Sequence, residues 1–170
     1  MFLTILLLVV FLFYKNALSY YFISDDFLGF TGIKNLFDLI KIDPSNNHYS
    51  PLVKTIGFFL AKIFAFNPFP YHLYTIAIHL LNVYLVYSLS KIFISNRLKN
   101  ILCALIFAFF FANYEVVFWY GGSNNSLLVT FYILSFISLI KFTKTKKNIF
   151  LILFQFVFVG AILTHEYAVS

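Results

Sequence analysis

Long apolar runs separated by short polar punctuation set the elements of this chain. A helix needs about 20 mostly apolar residues to cross a bilayer, within a range of about 17–25. Five stretches approach or meet that length: Phe2–Phe22, interrupted by Lys15 and Asn16, then Tyr71–Ser90, Ile101–Trp119, Ser126–Phe142 and Asn148–Thr164. The last two sit near the short limit. A sixth run, Pro51–Phe66, carries Lys54, Thr55 and Lys62. Ser50 is placed to cap it, Pro51 suits a first helical turn, and Asn67-Pro68 ends it. A short run with two lysines makes a poor span and reads as a helix lying in the membrane interface. The pattern therefore predicts an all-α polytopic transmembrane helix bundle of about five spans plus one interfacial helix, the latter inside an outer loop over 23–70.

The placement of charge orients that bundle. With the N-terminus inside, two short loops face the cytoplasm. One holds Lys91, Arg97 and Lys99; the other holds Lys141, Lys144, Lys146 and Lys147. Together they carry seven of the twelve basic residues and no acid. Were Pro51–Phe66 to cross the membrane, the second loop would move outside, against the positive-inside rule. Composition agrees: of 170 residues, 62% are hydrophobic and only 11% charged, against roughly 25% charge in a soluble domain. A soluble enzyme, a secreted disulfide scaffold and a disordered tail are all excluded by that shortage of polar side chains. The net charge of +6 belongs to loop anchors, not to a nucleic-acid surface. The single cysteine, Cys103, lies in an apolar run and cannot form an internal disulfide. No basic residue precedes Lys15, so the first run lacks the charged leader of a signal peptide and reads as an uncleaved span.

On this topology all six acids, Asp25, Asp26, Asp38, Asp43, Glu115 and Glu166, fall on the outer side. The positive-inside rule concerns Lys and Arg and does not require it. The pattern points to an outer site that uses carboxylates. Asp25-Asp26 leaves the first span at the lipid–water boundary, where ionisable groups are costly unless paired or used. Two adjacent, partly desolvated carboxylates repel, so one holds its proton more tightly, as a general base needs. The same pair offers oxygen ligands to a divalent cation such as Mg or Mn. The bland alternative is a cap on a short helix over Phe27–Phe30. His165-Glu166 follows the fifth span directly, as a boundary pair or a solvated helix end.

His72, Thr75, His79 and Asn82 share one face of the second span. Such side chains most often bond helices together, although His72 lies near enough to the outer end to reach a site. Their spacing is not that of a metal-binding helix. Glu115 and the turn Tyr120-Gly121-Gly122-Ser123-Asn124-Asn125 close the outer end of spans three and four, most simply as a tight hairpin. Asn124-Asn125-Ser126 fits the glycosylation pattern in too short a loop. No phosphate-binding loop, dinucleotide fingerprint, zinc-protease motif or nucleophile elbow is present.

The order of these pieces resembles the N-terminal part of a polytopic, polyprenyl-phosphate-sugar-dependent glycosyltransferase of the GT-C fold. The nearest likeness is to the transmembrane-and-tetratricopeptide O-mannosyltransferases and their bacterial relatives. Four stretches carry it. Tyr14-Lys15-Asn16-Ala17-Leu18 with Phe22-Ile23-Ser24-Asp25-Asp26 resembles a first span running into an acidic pair. Tyr49-Ser50-Pro51-Leu52, Asn67-Pro68-Phe69-Pro70-Tyr71-His72 and His79-Leu80-Leu81-Asn82 resemble the interfacial helix and second span. Glu115-Val116-Val117 with Trp119, and Thr164-His165-Glu166, resemble the outer ends of spans three and five.

The resemblance implies that residues 1–170 are the N-terminal portion of a longer GT-C-like domain. It further implies Asp25, Asp26 and Glu166 as catalytic residues, and His165, His72, Glu115 and Tyr49 as substrate contacts. Any metal would sit at Asp25 and Asp26. The implied partners are membrane lipid, a polyprenyl-phosphate sugar donor and a protein or glycan acceptor. The implied setting is the plasma membrane of a prokaryote, with the endoplasmic reticulum as the alternative. Two other function classes stay open. A transporter or flippase for a lipid-linked substrate predicts helix breaks inside spans, and only Gly160 offers one. A non-catalytic assembly subunit predicts small-residue packing faces, which are sparse here.

Overall fold

The structure, a computed structural model, describes residues 2–23, 26, 38 and 49–169, the side chain of Glu166 excepted. Its regular structure is all helical, with no strand among the described residues. The first helix, α1 (Phe2–Tyr14), tightens into a 3-10 turn at Lys15–Ser19. Then come α2 (Pro51–Phe64), α3 (Phe69–Phe93), α4 (Arg97–Ala108), α5 (Ala112–Phe118), α6 (Ser123–Thr145) and α7 (Asn148–Thr164). Three helical stretches are long and apolar enough to cross a membrane: Phe2–Ser19, Phe69–Phe93 and Tyr120–Thr145. The bent pair α4–α5 makes a fourth if it counts as one span, and α7 is apolar but shorter, at 17 residues.

Helix α3 is the hub, with α1, α4 and α6 packed around it, α7 paired to α6, and α2 laid against α7 and α3. The α1 seam repeats every four residues, Leu6, Val10 and Tyr14, and continues to Ala17 in the 3-10 turn. It meets Ile76 and Val83 of α3 and the pair Ala104 and Ala108 of α4. Alanines four apart let two backbones approach closely, which matters in lipid, where helices gain nothing by hiding apolar surface from each other. Small-residue packing is thus confined to this pair in the seam, in keeping with the sparse motifs of the sequence. Beside this apolar seam the interior also holds polar side chains, while large apolar ones cover the outside. Ser126, Thr130, Ser135 and Ser138 of α6 are buried, while Phe136, Phe156 and Ile106 are exposed.

Two expectations need correction. The first helix stops before Phe22: from Tyr20 the backbone is extended, and the Ser19 hydroxyl bonds the Asn16 carbonyl at 2.7 Å, a local bond that competes with helix continuation. Ser50 stands at the N-terminal cap of α2, but its side chain makes no capping bond there.

A third correction concerns span three. It is not one helix over Ile101–Trp119: the chain is helical from Arg97, breaks at Phe109–Phe111 and bends by 62°. Neither Gly nor Pro lies at the break. Side chains take the carbonyls that the next helical turn would have used, a recognised cause of kinks. Asn113 Nδ2 donates to the Phe107 carbonyl. The Ala108 carbonyl accepts from Tyr14 Oη at 2.9 Å and from His79 Nε2 at 3.1 Å. A carbonyl can only accept, so His79 carries its proton on Nε2. In hydrocarbon such freed backbone groups must find partners inside the protein, and here they do.

Candidate functional site

Asp26 is 3% exposed. Its Oδ2 accepts the Ile23 N–H at 3.0 Å, closing a local turn. Its Oδ1 accepts the Gly121 N–H at 2.7 Å, from the turn joining α5 to α6. Two backbone donors favour the ionised carboxylate and fix its orientation. An aromatic chain holds this junction. The Phe22 ring meets Tyr71 edge-on at 5.0 Å, and Tyr71 meets Tyr120 edge-on at 5.0 Å. The Tyr71 hydroxyl reaches back to the Ala65 carbonyl at 2.8 Å, tying the end of α2 to the head of α3. Gly57 of α2 leaves just room for the Tyr120 hydroxyl, 3.2 Å from where a Cβ would stand.

The other side of the turn forms a cleft of about 320 Å³, where Asn82, Asn113, Glu115, Trp119, Asn125 and Ser126 converge. The Trp119 indole lies over Gly121, whose missing Cβ would sit 2.7–2.8 Å from the ring. The indole Nε1 is buried without a hydrogen-bond partner. Gly121 therefore serves twice: its N–H holds Asp26 and its bare Cα seats Trp119. Any side chain here would crowd the indole, which is the physical demand for glycine at this position.

The polar stripe of α3 resolves residue by residue. Thr75 Oγ1 donates to the Val117 carbonyl at 2.8 Å. Asn82 Nδ2 donates to the Ser126 carbonyl at 2.8 Å and its Oδ1 accepts from Thr130 at 2.7 Å. With His79, these three join helices. His72 differs: it is fully buried, and neither ring nitrogen has a partner among the described residues. His165 is 3% exposed, stacks on Tyr167 at 4.3 Å, and its Nδ1 accepts the Tyr167 N–H at 3.3 Å. That bond assigns the proton of the neutral ring to Nε2. Glu166 begins a short 3-10 turn. Tyr49 is half-buried and Glu115 exposed.

The structure thus brings Asp26, the Gly121 turn and the head of α3 together, and places Glu115 on the cleft behind that turn. His165 is held on the end of α7 by separate contacts. Asp25, Asp43, Ser24 and the short helix expected at Phe27–Phe30 lie outside the described residues, as does the Glu166 side chain. The Asp25–Asp26 metal pair is therefore outside them too, and no group of three potential metal-ligating side chains gathers among the described residues. The sequence reading missed Trp119 as a cleft residue and treated Gly121 as a plain hairpin. Two consecutive glycines beside the only tryptophan were the available signal. No protein-family model, curated protein or solved structure matches the chain.

Proposed function

We propose that this protein is an integral-membrane glycosyltransferase of GT-C type, with five spans and an interfacial helix. It moves a sugar from a polyprenyl-phosphate donor to an acceptor hydroxyl on the outer face. One observation carries the reading: a buried carboxylate, Asp26, docks on the turn whose far side lines a cleft of amides, a carboxylate and an indole. Asn, Glu and Trp are the side chains that meet sugar hydroxyls and the apolar face of a pyranose ring. The acceptor oxygen attacks the anomeric carbon as the anomeric carbon–oxygen bond to phosphate breaks. Polyprenyl phosphate leaves with the bonding electron pair. Asp25 or Asp26 takes the acceptor proton, and Glu166 orients the acceptor. The leaving phosphate needs hydrogen-bond donors: His72, whose ring nitrogens have no partner among the described residues, and His165 are the two residues proposed for this role. Tyr49 and Glu115 complete the substrate contacts. The basic loops support a site facing away from the cytoplasm, and the membrane of this reading is the plasma membrane of a prokaryote, with the endoplasmic reticulum as the alternative.

The test is sugar transfer from a panel of labelled polyprenyl-phosphate sugars by membranes containing the protein. Asp26→Asn retains an oxygen for the Gly121 N–H, so that link persists while the base and the bond from the Ile23 N–H are lost. Removal of a general base costs about 10²–10⁴-fold in rate. Full activity in both Asp25→Asn and Asp26→Asn overturns the mechanism.

The break in span three favours a second reading, a transporter for a lipid-linked substrate, because such carriers use broken helices. In those carriers the freed backbone groups face the cargo. Here the Phe107 and Ala108 carbonyls are already taken by Asn113, Tyr14 and His79, which makes the break a structural one. Movement of an intact donor across the bilayer, without sugar transfer, would decide for the carrier.

A further inference from the structure

At the opposite end of the bundle, the end of α3 and the start of α4 enclose a second pocket of about 370 Å³. Tyr87, Lys91, Ile94, Ser95, Arg97 and Asn100 line it. Both cations stand without a carboxylate on this side: the chain has no acidic residue from 44 to 114. Each is steadied by an aromatic ring. Lys91 Nζ lies 5.6 Å from the Tyr87 ring centre, and the Arg97 guanidinium lies 4.8 Å from that of Phe2. Asn100, 3% exposed, donates from Nδ2 to the Ile94 carbonyl at 3.1 Å. Its Oδ1 is buried with no partner among the described residues. The α4 N-terminus itself is already capped, as Asn96 accepts from the Leu98 and Lys99 N–H groups.

We propose that this pocket binds the headgroup of an anionic phospholipid of the cytoplasmic leaflet, one whose headgroup carries a hydroxyl. The phosphate lies between Lys91 and Arg97, and Asn100 Oδ1 accepts from the headgroup hydroxyl. Arg97 presents the guanidinium fork that suits phosphate oxygens. What selects a lipid over free phosphate is the surface that continues from the pocket. Phe2, the ring under Arg97, begins a stripe with Ile5, Val9 and Leu12. At 100° per residue these lie on one face of α1, and all four are about half exposed. A bare apolar stripe leading away from two basic side chains is the shape an acyl chain below its headgroup would fit. Basic pockets between helices on the cytoplasmic side are suited to such headgroups.

The test is native mass spectrometry of the intact protein released from micelles containing equal phosphatidylglycerol and phosphatidylcholine. The expected result is preferential retention of phosphatidylglycerol, falling roughly 25-fold in Lys91→Gln/Arg97→Gln, at about five-fold per charge near a membrane surface. Both side chains are exposed, so the variant keeps its fold, checked by helical circular dichroism. A control variant, Lys146→Gln/Lys147→Gln, removes the same charge from the other basic loop and leaves the preference intact. Equal retention of both lipids overturns the proposal. So does an equal loss in the control variant, which would reduce the effect to general surface charge. Displacement of the lipid by millimolar inorganic phosphate would assign the pocket to a free anion and overturn it equally. The lipid readout is independent of sugar transfer.

Discussion

The Ala108 carbonyl tests how this bundle tolerates a broken helix. It has two donors, Tyr14 Oη at 2.9 Å and His79 Nε2 at 3.1 Å, and both side chains are 1% exposed. None of the backbone bonds outside the helices among the described residues ends on it. Side-chain hydrogen bonds within membranes average about 0.6 kcal/mol, with a maximum near 1.7. Tyr14→Phe keeps the ring and leaves His79 on the carbonyl, so it costs about 0.6 kcal/mol. His79→Leu loses one bond and the ring contacts with Tyr14 and Phe107. It also removes Nδ1, a buried acceptor with no partner. These effects oppose each other, and the single change falls within about 1 kcal/mol of the parent, given about 1–3 kcal/mol for an unmet buried polar group.

The double variant strands the carbonyl, which adds about 1–3 kcal/mol that neither single change exposes. The expected outcome is therefore a positive coupling energy of about 1–2 kcal/mol, while the single-site losses of ring contact and of Nδ1 cancel out of the cycle. The assay is equilibrium unfolding of the four proteins by sodium dodecyl sulfate in bicelles, followed by circular dichroism. Additivity within about 0.5 kcal/mol refutes the reasoning. So would Tyr14→Phe alone matching the double variant, because the redundancy of donors would then be absent.

Three further outcomes follow from the same geometry. Gly121→Ala sets a Cβ within 2.7–2.8 Å of the Trp119 indole, so the ring must move; as Trp119 is the only tryptophan, its emission maximum shifts and transfer activity falls with it. Unchanged emission would show that the indole does not rest on the glycine. Asn82→Leu removes the links from α3 to Ser126 and Thr130 and lowers stability in the same unfolding assay by about 1–2 kcal/mol; no loss would make this contact incidental. In a Cys103→Ser background, Tyr20→Cys reacts with an impermeant maleimide added outside intact cells whereas Thr145→Cys does not, and the reverse pattern would invert the topology.

The residues from which class and expected orientation are read are local ones. Runs of 17 or more apolar residues and seven basic residues in two loops are read one stretch at a time, because the bilayer acts on each segment by its own length and charge. The interfacial helix is the same kind of inference: its N1 proline and helical extent match, but the Ser50 capping bond does not, since that depends on how the incoming chain turns. The site was legible only in part. Asp26, His72 and Glu115 stand out as polar groups where hydrophobic ones are expected, so a sequence can flag them.

That Asp26 ends on Gly121, 95 residues away, was not legible, nor was the break at Phe109–Phe111, which carries neither Gly nor Pro. Sequence alone determined an all-helical chain with apolar helices long enough to cross a membrane and with basic residues gathered in two loops, since hydropathy and charge are properties of single segments. Tertiary structure decided which of those polar groups bond helices together and which have no partner among the described residues. A hydrogen bond needs both partners, and whether His79 finds the Ala108 carbonyl while His72 finds none depends on where separate helices bring their backbones together.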